Sequence, residues 1–251
     1  AKAFPGDHVQ VVAAEDARHD ESSPHASWKE LLQHLDQAYE FDRVVYLSNY
    51  LTPHNDTVGD IELLRSVFRA CMGRRVQLLY VAGPAAAEDA VDATGRTGKG
   101  IIARAANDLC RHYAEREGIQ TKILRAPFLY TASADLEDPF LAPLFDACST
   151  GSVALQGAED AAFPLLCAEE LAVLLRRIFD SWDANFETLD VADSFNHTAA
   201  DLGEALKALF PGLTVAYGES AGYALPESDT VRVRYGWFQR YDLLRDLSTI
   251  Q

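Results

Sequence analysis

Asp42-Arg-Val-Val-Tyr-Leu-Ser-Asn49 is the stretch that decides the fold. Its centre, Val44 to Leu47, is a continuous apolar run, which is typical of a strand buried on both faces of a parallel sheet. Ser48 and Asn49 mark the carboxyl end of this strand. Because open α/β sheets bind ligands at the carboxyl ends of their strands, we expect a binding site there.

The segments on both sides of this strand have helical spacing. Downstream, residues 57–71 place apolar side chains on one helical face, and an apolar run over 76–81 follows. Strand, helix and strand at this spacing predict a βαβ unit, whose crossover is almost always right-handed. Upstream, Ser27 and Glu30 form a capping box that predicts a helix over 27–39, and residues 8–14 predict a first strand.

The remaining segments complete an α/β pattern in which strands alternate with helices. Loops are expected over 83–100 and 219–232. The other predicted helices cover 101–117, 140–148, 169–182, 198–210 and 241–247, and the other strands 120–124, 152–155, 186–191 and 213–218. This pattern predicts an α/β fold with a mainly parallel sheet, helices on both faces and a small C-terminal lobe.

The sequence contains no internal repeat and no interdomain linker, which favours a single domain over 1–251. A sheet core over 1–135 would precede a region, 136–251, where further core strands mix with lobe segments.

Composition narrows the function classes. The chain has 251 residues and a net charge of −16, which argues against nucleic-acid binding because phosphates require clustered Lys and Arg. No apolar run is long enough to span a membrane. The four cysteines lack a CxxC pair and are expected to be buried thiols in a reducing compartment, so a cytoplasmic location is predicted. The seven histidines show no HxH or HExxH spacing, so no metal site is expected.

Motifs spread over most of the chain point to one family. They lie at 44–49, 56–64, 76–83, 107–130 with Arg125, Pro127 and Tyr130, 166–172, and Gly236-Trp237. Their patterns resemble the extended short-chain dehydrogenase/reductase family, which contains NAD-dependent epimerases and dehydratases. The resemblance implies a Rossmann fold and places Asp16 at the family's adenine-contacting position.

Three departures from the family pattern concern its chemistry. The sequence has no strand–GxxGxxG–helix unit, whose glycines let the backbone approach a pyrophosphate. The family's Tyr-x-x-x-Lys is absent, because the aligned positions carry Lys99 and Ala103, or Gly100 and Arg104 in the next register. The catalytic Ser or Thr is also missing from the stretch 82–87. Gly95-Arg-Thr-Gly98-Lys-Gly100 follows a loop rather than a strand and is interpreted as flexible.

The absence of the family's first two strands, which carry the glycine-rich unit, affects the predicted order of strands in the sheet. In the family's strand order the first two strands lie between strands three and four. Without them, the simplest arrangement moves the strand over 9–14 beside 43–48 and produces a truncated Rossmann sheet. The alternative is that the missing strands belong to another polypeptide.

Seven residues form the candidate ligand pocket. They follow strand ends or match the family's substrate segment: Ser48, Asn49, His54, Ala82, Gly83, Arg125 and Tyr130. For the first three, loop capping is the alternative to ligand binding. For Arg125, the alternative is an ion pair with a carboxylate.

Two further groups of residues have open interpretations. Glu169-Glu170 could be an acid/base pair, but at a helix N-terminus these residues also favour the helix dipole. Arginines and aromatic residues share the stretch from Arg232 to Arg245, and either pack the lobe or form a partner surface.

The combined losses predict a non-catalytic domain or subunit with no catalytic residues and no cofactor. Its partner would be another protein or a domain of a larger assembly, with a small-molecule or carrier-borne substrate as a further ligand. The alternative is an NAD- or NADP-dependent reductase, epimerase or dehydratase whose dinucleotide-binding unit lies outside this chain. A metabolite-sensing regulator is the third hypothesis.

Overall fold

The structure is a computed structural model that describes residues 41–47, 57–83, 98–131, 141–155, 157–192, 194–219 and 230–247. For 57–60, 98–103, 141–143 and 246 it describes the backbone alone. Several expectations lie outside the described residues: the strand over 8–14 and its place in the sheet, the helix over 27–39, and the positions of Asp16, Ser48, Asn49 and His54.

The described residues form eight strands and seven helices. The strands are β1 Arg43–Leu47, β2 Gln77–Ala82, β3 Gln120–Arg125, β4 Phe128–Tyr130, β5 Ser152–Leu155, β6 Leu165–Cys167, β7 Phe186–Asp190 and β8 Thr214–Tyr217. The helices are α1 Thr57–Cys71, α2 Gly98–Glu117, α3 Leu141–Ser149, α4 Ala168–Asp180, α5 Ala199–Leu209, α6 Thr230–Tyr235 and α7 Leu243–Leu247.

The main sheet has four strands in the order β1-β2-β3-β7, and every pair is parallel. The α/β fold with a mainly parallel, Rossmann-like sheet is therefore confirmed. All four strands point the same way, so their carboxyl ends meet at one edge, which we call the carboxyl edge.

Helices cover the two faces of this sheet. In β2, Leu78 and Tyr80 join a core with α1 and α2, whereas Leu79 and Val81 join a second core with α4 and α6. This alternation follows from the two-residue period of a strand. β2 and β3 are therefore buried on both faces. The apolar run over 76–81 predicted the strand β2, and β3 lies where a strand was predicted over 120–124.

Strand β1, which lies in the stretch 42–49, is less buried than predicted. Val44 and Tyr46 pack against the α1–α2 core, but Val45 is 38% exposed and Leu47 52% exposed. The prediction that this run is buried on both faces is wrong. The reason is positional: within the described sheet β1 pairs with β2 alone, and α4 and α6 lie over the strands beyond it.

The C-terminal lobe has its own core. Two small parallel sheets, β4–β6 and β5–β8, pack with α3, α5 and α7 around buried side chains such as Leu165, Leu202 and Leu243. α5 begins at a capping box in which Thr198 and Asp201 bond reciprocally, and the helix lies within the range 198–210 that was predicted. The division of the chain into one domain with these boundaries stays a prediction.

Two local predictions are corrected, and one strand was not predicted. Residues 98–100 begin α2 rather than ending a loop, and residues 230–232 belong to α6 rather than to the loop over 219–232. β6 had no prediction, because three apolar residues carry no detectable period. Its strand geometry comes from parallel pairing with β4.

We expect Leu124→Ala to lower the free energy of unfolding by about 2–5 kcal/mol, because Leu124 is fully buried on the central strand β3. Leu47→Ala is the matched control and should cost less than about 1 kcal/mol, since that side chain is half exposed. Urea denaturation measures both. Equal losses would contradict the burial difference between the two strands.

The capping box should make stability depend on acid pH. The hydroxyl of Thr198, and then its backbone amide, lower the pKa of Asp201. A lowered folded-state pKa contributes stability that is present above the unfolded value of about 3.9 and is lost as pH falls toward the folded value. Asp201→Asn should therefore flatten the pH dependence of unfolding below about pH 5. An unchanged slope in urea titrations would contradict this assignment.

Candidate functional site at the carboxyl edge

Three adjacent strands end together at the carboxyl edge. Ala82, Arg125 and Asp190 are the last residues of β2, β3 and β7, and they are in register across the sheet. Backbone bonds continue one residue further, from the amide of Ala126 to the carbonyl of Ala82 and from the amide of Val191 to that of Arg125, each 2.9 Å long. The three side chains therefore share the sheet face that α1 and α2 cover.

The guanidinium of Arg125 is held by Asp190. Nε donates to one carboxylate oxygen and a terminal nitrogen donates to the other at 2.8 Å, which is the bidentate geometry of a strong ion pair. The side chains are 25% and 13% exposed. Arg125 thus forms an ion pair with a carboxylate, which was the alternative to ligand binding that the sequence left open. Asp190 was not predicted to be part of the site. Its position at the end of β7, like that of Arg125 at the end of β3, could have indicated it.

The other described pocket candidates are spread over two regions. Ala82 is buried and Gly83 half-buried at the end of β2, next to Arg125. Tyr130, in contrast, is buried in the core of the lobe. The structure thus brings Ala82, Gly83 and Arg125 together and puts Tyr130 in a neighbouring layer. Whether these residues bind a ligand stays a prediction.

Helix α2 occupies the position where the family carries Tyr-x-x-x-Lys. It runs antiparallel to β3, so residues 98–104 lie near the carboxyl edge. The one tyrosine of α2, Tyr113, is near the opposite end of the helix, with Glu117 four residues later. Its ring is 9% exposed and stacks on Phe68, with ring centroids 4.4 Å apart. This tyrosine is a core residue.

The start of α4 joins the sheet to the C-terminal segment. Glu170 is 6% exposed, and its carboxylate accepts hydrogen bonds from the amides of Arg240 at 2.6 Å and Tyr241 at 3.2 Å. The indole of Trp237 donates to the Glu170 carbonyl. Glu170 therefore anchors the segment 237–241, an arrangement that neither the dipole nor the acid/base interpretation included.

A second set of charges lies in the amino-terminal half of the strands, on the sheet face opposite Arg125. Lys122 of β3 is fully buried and donates to Glu187 at 2.8 Å, Asp183 at 3.0 Å and Tyr235 at 3.1 Å. Arg234 pairs with the same two carboxylates. Burial alone would lower the pKa of Lys122, but the hydrogen bonds to Glu187, Tyr235 and Asp183 raise it. Lys122 is therefore a charged structural residue.

The aromatic cluster near the C-terminus divides into two sets. Tyr235 and Trp237 are buried against the core of α4 and α6, so they pack the structure. Phe238 and Tyr241 are 52% and 47% exposed. Arg240 lies over the Phe238 ring, 5.1 Å from its centroid, which is a cation–π contact.

The cysteines are buried thiols in the described residues, as predicted, and form no disulfide there. Burial raises the pKa of Cys71 to about 12, and burial followed by a hydrogen bond to Glu169 raises that of Cys167 to about 12. Nucleophilic chemistry at neutral pH is therefore unfavourable for both. Within the described ranges, no His, Cys, Asp or Glu cluster is arranged to hold a metal, and no helix is long and apolar enough to cross a membrane.

Comparison with known proteins identifies the fold. Neither a protein-family model nor a curated protein matches the sequence. Among solved structures, MoeE5 in complex with UDP-glucose and NAD is 14% identical, with a TM-score of 0.66 over 90% of this chain and 82% of that chain.

Two further solved structures are similar to the same extent. The DesIV double mutant from Streptomyces venezuelae, a dTDP-glucose 4,6-dehydratase with NAD bound, is 12% identical, with a TM-score of 0.68 over 91% of this chain and 80% of that one. UDP-N-acetylglucosamine 4-epimerase from Bacillus cereus is 13% identical, with a TM-score of 0.63 over 92% and 83%. The chain has the fold of these NAD-dependent epimerases and dehydratases.

These structures correct the cofactor prediction. We expected no cofactor, but MoeE5 and DesIV have this fold and are solved with NAD, so a dinucleotide cofactor is possible for the chain. The described residues of the carboxyl edge do not by themselves fit a pyrophosphate. Arg125 is engaged by Asp190, and no glycine-rich turn follows the described part of β2 or β3.

We expect the Arg125–Asp190 ion pair to contribute more to the free energy of unfolding than an ordinary surface ion pair does. A double-mutant cycle with Arg125→Met and Asp190→Asn should give a coupling free energy of about 1–3 kcal/mol, because the bonds are bidentate and largely shielded. The control is the Arg176–Asp180 pair of α4, at 3.5 Å and more exposed, which should couple by about 0.5 kcal/mol or less. Equal coupling free energies for the two pairs would show that Arg125–Asp190 is no stronger than an exposed surface ion pair.

Proposed function

We propose that this chain is a non-catalytic domain built on the short-chain dehydrogenase fold, which acts by binding a partner protein or a carrier-borne substrate. The observation that carries the proposal is α2, whose one tyrosine is packed against Phe68 and followed at the fourth position by Glu117. A general acid or base must reach the reacting group within hydrogen-bond distance. Tyr113 is too deeply packed to do so.

The surroundings of the carboxyl edge support the same conclusion. A catalytic site holds polar groups that are oriented toward the substrate and have perturbed pKa values. Here the described polar groups interact with each other: Arg125 with Asp190 at the edge, and Glu170 with the backbone of the C-terminal segment. These interactions stabilise the fold and the lobe. A domain of this kind would act by binding through its surface rather than by catalysis.

The second candidate is an NAD- or NADP-dependent reductase, epimerase or dehydratase whose dinucleotide-binding unit lies outside this chain. The observation in its favour is the extent of the similarity to MoeE5, which covers 90% of this chain. In this case the carboxyl edge and the lobe would form the substrate half of a larger site.

The purified chain tests the non-catalytic proposal directly, whereas the second candidate predicts turnover only when the missing dinucleotide-binding unit is supplied. Titration with NAD⁺, NADH, NADP⁺ and NADPH by calorimetry, combined with assays on UDP-glucose and UDP-N-acetylglucosamine, should give no turnover, whether or not a dinucleotide binds. Cooperative thermal unfolding of the same sample is the control for a folded domain. Dinucleotide-dependent turnover that is lost in Arg125→Met, while that variant still unfolds cooperatively, would overturn the non-catalytic proposal.

A further inference from the structure

His197 is a buried titratable residue at the junction of two helices of the lobe. It is 4% exposed and directly precedes Thr198, the N-cap of α5. Its ring nitrogen Nε2 lies 2.9 Å from a carboxylate oxygen of Asp242. Because an ionised carboxylate can only accept hydrogen bonds, Nε2 carries a proton in this contact. The contact can therefore form with a neutral or with a positively charged imidazole, and the two forms differ in strength.

The same oxygen of Asp242 caps helix α7. It accepts from the backbone amides of Leu244 at 3.1 Å and of Arg245 at 3.4 Å. α7 has five residues, which is too short for a helix that is stable by itself. It is held by this cap and by Leu243 and Leu247, which are fully buried in the core of the lobe. A change of charge beside Asp242 therefore acts on the docking of α7.

The charges that face His197 come from two neighbouring elements, and both are negative. Asp242 precedes α7, and Asp201 belongs to the first turn of α5. The pKa of Asp201 is lowered by the hydroxyl and the amide of Thr198, and further by a positive charge on His197. Residues 161–163, which bond to the His197 carbonyl, and the ring of Phe195 are apolar neighbours. Among the residues that the structure describes, no Lys or Arg forms an ion pair with Asp242.

Two effects of opposite sign act on the proton of His197. Burial disfavours the charged imidazolium, whereas the two carboxylates favour it. The carboxylates dominate, because one of them contacts the ring directly and a charge-assisted hydrogen bond is about twice as strong as a neutral one. A contact that favours the protonated form contributes stability below the ordinary histidine pKa of about 6.5, and this stability is lost as pH rises through the value in the folded protein.

We propose that His197 is a pH-sensitive contact that controls the docking of α7 on the lobe. At mildly acidic pH the protonated ring holds α7 through Asp242. As the ring loses its proton, the cap of α7 weakens and the helix opens more often. Opening uncovers the apolar side chains of β6 and α5 against which α7 packs, such as Leu165 and Leu202. This inference holds whether or not the chain is catalytic.

Hydrogen exchange measured by NMR on the full chain tests this proposal. After correction for the intrinsic pH dependence of exchange, the opening constant of the α7 amides should rise about tenfold between about pH 5.5 and 8, because a charge-assisted bond becomes a neutral one. The amides of α4 in the same sample are the control for global unfolding. An opening constant of α7 that does not rise with pH, or that rises equally for α4, would overturn the proposal.

A variant of His197 identifies the group that titrates. Glutamine can still donate to Asp242 but has no titratable proton, so His197→Gln should remove the pH dependence of α7 opening. His112→Gln is the matched control, since His112 is exposed on α2 and lies outside the lobe, and it should keep the dependence of the wild type. A pH dependence that persists in His197→Gln would show that another group is responsible.

Asp242→Asn tests the same contact from the other side and serves if His197→Gln does not fold. Asparagine keeps an oxygen that can cap α7 but removes the charge beside the ring. The His197 ring should therefore titrate at a lower pH in NMR spectra of Asp242→Asn than in those of the wild type. An unchanged titration of His197 would contradict a role of Asp242 and overturn the proposal.

Discussion

Burial of the central residues of β2 and β3 on both faces of the sheet is the constraint on which the rest of the structure depends. Their backbone groups are satisfied within a parallel sheet, and their side chains are removed from water on both faces. Such strands require a helical layer on each side, and α1 and α2 supply one while α4 and α6 supply the other. The hydrophobic effect thus determines the layers, and the connections between them bring the strand ends to a common edge.

The two ends of this sheet carry buried or half-buried charges with different partners. At the carboxyl edge Arg125 is matched by one carboxylate, Asp190, in a pair that bridges β3 and β7. At the amino end Lys122 and Arg234 share Asp183 and Glu187, and this network connects β3, β7 and α6. When such charges are paired, their attraction offsets much of the free energy of desolvation. Removing one partner is strongly destabilising, because the other charge is left buried and uncompensated. They select one arrangement of helices on the sheet.

Much of this fold is readable from the sequence, because apolar periodicity is a local signal. Helix α1 has its predicted bounds, and α5 lies within the helix predicted over 198–210. The exposure of Val45 and Leu47 was not readable, since it depends on which helices lie over β1 rather than on the strand itself. The same holds for Glu170 and Lys122, whose partners are up to 71 and 113 residues away in sequence. At the carboxyl edge, the cation Arg125 was predictable, whereas its pairing with Asp190 required the register of β3 and β7.

The anchoring of the C-terminal segment has a consequence for the life of the protein in the cell. Residues 235–241 supply partners to Lys122 at one end and to Glu170 at the other, so a segment that is synthesised after both of them neutralises charges that earlier segments bury. Until it arrives, a nascent chain contains a desolvated ammonium and a desolvated carboxylate with incomplete partners. Folding of this region therefore has to wait until residues 235–241 have been synthesised, and products that end before them would be exposed to chaperones and proteases.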